Sequence, residues 1–240
     1  MKYVVILLLV ASPYLGHSQQ AQADSLFQIG MKHKSAGNYA DAVDHFTAAI
    51  SAYPWQIDYW FQRGFVRIDL GDYHQAIADF SYILQFKPNH VRSLTERAYA
   101  LRTIGYDSLA ISDYRLAVTT DPNDYRANYE MGYMLIDRGN YPDAIRYLLK
   151  AGMVNPSDPH SAYELGYAYK LNGEYQAAIK AFQKSILNST LSERIPDKVH
   201  FYLAECFLAL KDKKSACESL NKAMELRVEE AISLVNTECN

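Results

Sequence analysis

The chain has 240 residues, 49% of them hydrophobic and 21% charged, and a formal net charge of −3. That balance excludes collagen-like, low-complexity and multi-span membrane chains, and it gives no electrostatic reason to expect a nucleic-acid partner. Twenty tyrosines stand against 2 Trp and 9 Phe, so any fold must place an unusual amount of tyrosine.

Residues 1–18 read as an export signal. Lys2 is the only charge ahead of an almost wholly apolar run at residues 3–10, and Gly16 and Ser18 put small residues before a cut after Ser18. The run is shorter than the ~20 residues a membrane span needs, so no stable membrane insertion is expected once the signal is gone. No cysteine adjoins the cut, which argues against a lipid anchor there. Residues 19–23 form a polar lead-in, expected to be loose.

The rest of the chain repeats. Pro54, Pro88, Pro122 and Pro156 are spaced 34 residues apart. Seventeen before each lies Gly37, Gly71, Gly105 or Gly139, and twelve before each lies Ala42, Ala76, Ala110 or Ala144. Gly30, Gly64, Ala98 and Gly132 keep a small residue in the same register, and Phe46, Phe80, Tyr114 and Leu148 a large one. A fixed period of this length signals stacked units.

Between the glycines the apolar residues recur at three and four, which is helical. The glycine provides the turn between two helices of roughly 12–14 residues, the small residues let them approach, and the proline stops the second. Such a hairpin cannot bury its apolar face alone, so stacking must do it. The array is expected over 24–228. Its regular units are 23–56, 57–90, 91–124, 125–158 and 159–192, although Thr190 replaces the last proline. A sixth unit at 197–228 is shifted by four residues and lacks a turn glycine, and 229–240 forms a capping helix and tail.

This pattern closely resembles the tetratricopeptide repeat family. Trp60 stands where the family favours Trp, whereas Leu26, Leu94, Asn128 and Ala162 hold that place elsewhere, and Asp107 lacks the usual aromatic. The resemblance implies an all-α, right-handed superhelical solenoid of helix-turn-helix hairpins, with the first helix of each hairpin lining the concave side. It also implies a protein-binding role. The family's carboxylate clamp of Lys and Asn is absent, because aromatics and Met hold the matching places.

Once the packing positions are removed, pairs four apart remain on the first helices: Phe27 with Met31, Phe61 with Phe65, Thr95 with Tyr99, Tyr129 with Tyr133, Tyr163 with Tyr167, and Phe201 with Glu205. Glu96, Glu130 and Glu164 continue a row begun by Gln28 and Gln62, and Arg92, Arg102, Arg126 and Lys170 flank it. Two readings stand. The rings are core filling, or they line an open groove that holds an extended peptide or partner protein. In the second reading the site residues are Phe27, Phe61, Phe65, Tyr99, Tyr129, Tyr133, Tyr163 and Tyr167, with Glu96, Glu130, Glu164 and Arg102 as polar selectors. A glycan stacking on the rings is the alternative ligand, and self-association through the end units is a further partner class.

No chemistry-bearing motif appears. The histidines form no metal-binding pattern, there is no phosphate loop or nucleophile elbow, and no catalytic residue, cofactor or metal is assigned. Cys206 and Cys217 come level on antiparallel helices, and Cys239 follows. A Cys206–Cys217 bridge is one reading, with Cys239 free or an alternative partner, and buried thiols are the other. Asn188-Ser189-Thr190 is a glycosylation sequon of consequence only in a eukaryotic secretory pathway. The expected protein is a non-catalytic exported adaptor. The periplasm is its first expected location, with the outer-membrane face or the medium next.

Overall fold

The computed structural model describes residues 13–189 and 198–239, and among them the only regular elements are helices. They are α1 (Pro13–Ser35), α2 (Tyr39–Ala52), α3 (Ile57–Asp69), α4 (Tyr73–Phe86), α5 (Val91–Thr103), α6 (Asp107–Thr120), α7 (Tyr125–Asp137), α8 (Tyr141–Val154), α9 (Pro159–Leu171), α10 (Tyr175–Asn188), α11 (Val199–Ala209), α12 (Lys213–Glu225) and α13 (Glu229–Glu238). Helices pair into hairpins as α1 with α2, α3 with α4, α7 with α8, α9 with α10 and α11 with α12, and α13 packs on α12. The chain forms two compact units, one ending at Asp113 and one beginning at Tyr114.

The turn chemistry follows the register. Gly139 takes φ +73° and Gly173 φ +80°, a region that a Cβ disfavours. In the shifted hairpin the same place falls to Lys211, which adopts φ 62° without that relief. The small residues serve a different need. A Cβ on Gly132 would sit 2.5 Å from Cγ of Leu148, and one on Gly166 would sit 2.6 Å from Cδ1 of Phe182. Glycine therefore lets the second helix seat a large side chain directly against the first helix's backbone.

In the first unit Phe46 and Phe80 are wholly buried in this way, and in the second Leu148 and Phe182 are, while Leu220 is buried with Ala204 in the glycine's place. Each such side chain contributes roughly 1.5–3 kcal/mol. The Trp position also gains a physical account. Trp60 donates through Nε1 to the carbonyl of Pro54 at 2.8 Å, and Asn128 donates to the carbonyl of Pro122 at 3.0 Å. One donor at this place ties the first helix to the preceding loop, so Asn128 substitutes for the indole in hydrogen bonding.

Three expectations are corrected or fall outside the description. Residues 19–23 are not loose: they lie within α1, and Ala23 is fully buried against Ala49, Ile50 and Tyr59. The bridge joins Cys217 to Cys239, not Cys206 to Cys217. Cys206 faces the neighbouring hairpin, in a cluster with Ile179, Phe182, Val199 and Leu203, so levelness with Cys217 does not aim the two sulfurs at each other. The apolar run at 3–10 and the connector at 190–197 lie outside the described residues, and so does Thr190 of the sequon.

Candidate functional site

In the first unit the predicted groove residues lie on α1, α3 and α5. Phe27 is half-buried, with its ring 5.4 Å from Phe46 and 5.0 Å from Tyr59. Phe65 is half-buried with Nζ of Lys34 4.4 Å above its ring, and the same ammonium donates to Gln62 at 2.8 Å. Phe61 departs from the expectation of an open ring. It is 3% exposed, packs edge-on against Phe80 and is capped by the Arg92 guanidinium at 4.4 Å, so it belongs to the core. Tyr99 is half-buried under Arg102 at 5.6 Å, and Glu96 is buried.

In the second unit the tyrosines are neither sealed nor free. Tyr129, Tyr133, Tyr163 and Tyr167 are all half-buried. Tyr163 and Tyr167 on α9 meet Tyr202 on α11 at ring separations of 6.2 and 4.9 Å, and Tyr125 stacks on Tyr129 at 6.0 Å. Lys170 lies 4.6 Å over the Tyr202 ring and 2.7 Å from the Glu205 carboxylate. The aromatic run therefore crosses from one hairpin's first helix to the next and keeps a partly open edge throughout.

One member of the acidic row, Glu164, is perturbed together with the tyrosines around it. Glu130 is buried. Burial, with the neighbouring carboxylates of Asp137 and Glu130 adding to it, pushes the Glu164 carboxyl up to about 7. The hydroxyl of Tyr129 is raised by burial first and then by Glu164, and that of Tyr163 by burial and then by Tyr202.

Sequence reasoning missed two participants. Lys34 stands 136 residues before Lys170, four periods of 34, and that register was the signal for it. Tyr202 was hidden by the four-residue shift, which puts it in the place that Glu164 holds one unit earlier. Among the described residues no group of three or more His, Cys, Asp or Glu side chains could hold a metal ion. Nor, among them, is any helix long and apolar enough to cross a membrane.

Tetratricopeptide repeat profiles match residues 57–90, 129–193 and 198–226, together just over half of the chain. No curated protein matches the chain. Several solved structures share its fold. Pseudomonas aeruginosa pilF superposes with a TM-score of 0.73 at 16% identity, over 87% of this chain and 93% of that one. A tetratricopeptide repeat protein from Parabacteroides merdae gives 0.63 at 17% identity, over 91% and 99%. The C-terminal part of a repeat-containing protein from Cytophaga hutchinsonii gives 0.66 at 24% identity, over 88% and 82%. With stacked helix pairs, turn glycines in register and three matching profiles, the chain belongs to the tetratricopeptide repeat family, whose all-α repeat fold serves as a scaffold for protein–protein interaction.

Proposed function

We propose that this protein is a non-catalytic adaptor that holds an extended segment of a partner protein along the tyrosine-bearing faces of its first helices. The observation that carries the reading is the half-buried aromatic run of Tyr163, Tyr167 and Tyr202 across α9 and α11. Rings needed only for packing would be closed, as Phe182 is. Tyrosines fixed by neighbours but open at one edge offer contact area and a hydroxyl at little entropic cost.

The adaptor works outside the cytoplasm, with the periplasm as its first location. Two features support this. The sequence of residues 1–18 reads as an export signal. The Cys217–Cys239 bridge needs an oxidising compartment to form and persist. A cut after Ser18 leaves Ala23 and its buried contacts in place, and His17 and Ser18 are both exposed.

The double variant Tyr133→Ala with Tyr167→Ala tests the groove. Partner capture should be lost while the helical circular dichroism spectrum is kept. Unfolding of the double variant, or capture that persists, overturns the groove. The N-terminal residue of protein recovered from the periplasm tests export, with Gln19 expected.

A further inference from the structure

At one register of the first helices cations alternate with isoleucine: Lys34, Arg102 and Lys170 hold it on α1, α5 and α9, and Ile68 and Ile136 on α3 and α7. Lys34 of α1 reaches forward to Gln62 of α3, 28 residues on. Lys170 of α9 holds the same register and reaches forward to Glu205 and the Tyr202 ring of α11. The equivalent place on α7 is Ile136, which is buried with Ala144, Ile145 and Leu148. Glu164 lies 28 residues after Ile136, where Gln62 lies after Lys34. The register therefore sends it no cation, and the charges that act on its carboxyl are the carboxylates of Asp137 and Glu130.

We infer that the face formed by α7 and α9 receives a lysine or arginine side chain of the bound segment, with Glu164 as its counter-charge. This rests on the groove reading above and states which chemistry the groove selects. A cation brought by the partner takes the place that Lys34 and Lys170 fill within the chain itself. Tyr129 and Tyr133 on α7, with Tyr163 and Tyr167 on α9, offer ring faces to the same cation, the arrangement already seen for Lys170 over Tyr167 and Tyr202.

The surrounding charges favour a cation. From α7, the carboxylates of Glu130 and Asp137 act on Glu164. On α9 and α11, Lys170 and Glu205 are committed to each other, and Tyr202 is neutral at physiological pH. Glu130 and Arg126 have partners of their own. The charged residues of α8 and α10, Asp143, Arg146, Lys150, Lys180 and Lys184, are not among the groups acting on Glu164. Burying one carboxylate beside two others is costly unless a positive charge arrives with the ligand.

Panning random 12-residue segments displayed on phage against the full-length protein at pH 8 tests this. The selected segments should be enriched in Lys and Arg, and Glu164→Gln, which keeps shape and folding, should abolish the enrichment. A selected basic peptide should bind about tenfold more weakly at pH 6 than at pH 8, as a carboxyl titrating near 7 goes from mostly ionised to mostly neutral, and Glu164→Gln should flatten that dependence. Segments selected without basic bias, or with a bias that survives Glu164→Gln, overturn the assignment and leave the groove standing. If nothing is selected, or if binding ignores Tyr133→Ala with Tyr167→Ala, the groove itself is refuted.

Discussion

Arg63 donates through Nε and Nη2 to both carboxylate oxygens of Asp79, at 3.0 and 2.6 Å, and its Nη1 reaches Thr47 at 3.1 Å. One guanidinium thus ties α2, α3 and α4 together. One period later Arg97 repeats the arrangement with Asp113, at 2.7 and 2.8 Å, and with Ser81 at 3.1 Å. Asp79 also accepts from Arg67 at 2.6 Å and is 1% exposed.

Removing that carboxylate strands two guanidiniums. Asp79→Ala should therefore cost about 3–5 kcal/mol, the usual penalty for breaking a buried pair from one side. The exposed Asp143–Arg146 pair at 2.9 Å is the contrast, and Asp143→Ala should shift stability by no more than about 0.5 kcal/mol. Urea midpoints of the two variants check the difference.

The two classes of glycine should fail differently. Gly132→Ala drives a Cβ into Leu148 and should cost about 1–3 kcal/mol by overpacking. Gly139→Ala meets only the Tyr141 hydroxyl, at 4.0 Å, and pays for its φ of +73° alone, about 1 kcal/mol. Thermal melts should rank Gly132→Ala below Gly139→Ala, and the opposite order would contradict this account.

Glu164 links stability to pH. Its carboxyl is raised from 4.5 to about 7, so the folded state holds a proton that the unfolded chain releases between those values. Stability contributed by the neutral acid is full below 4.5 and is lost as pH rises through 7. Glu164→Gln should therefore stabilise the protein by roughly 1–3 kcal/mol at pH 8 and change little near pH 4. Equal effects at both pH values would show that the carboxyl is not perturbed.

The thiols give a chemical test. Native, unreduced protein should present one free thiol, Cys206, and it should resist alkylation, because burial pushes its pKa up to about 12. Dithiothreitol should lower stability by about 3 kcal/mol, as expected for a closed loop of about this size. Peptide mapping that finds Cys206 oxidised would overturn the assignment.

Most of the architecture was legible because the repeat writes each packing demand again every 34 residues. Gly132 facing Leu148 and Gly166 facing Phe182 are one demand stated twice. What the pattern could not carry was direction about a helix axis. Phe61 and Tyr163 share a register, yet Arg92 and Phe80 close over the first while the second keeps an open edge. Cys206 and Cys217 were level in sequence arithmetic but point to different neighbours. The polar lead-in at 19–23 was misread because Ala23 alone anchors a stretch that otherwise looks like solvated chain.

A stack of hairpins has no natural last member, since the outer surface of any hairpin resembles the inner surface that the next would cover. Here α13 lies over Phe201, Ala204, Leu220 and Ala223, and its far end is sewn to α12 through sulfur. The cover over this hairpin is thus fastened by a bond that forms only where thiols are oxidised, and in a reducing cytosol packing alone would hold it.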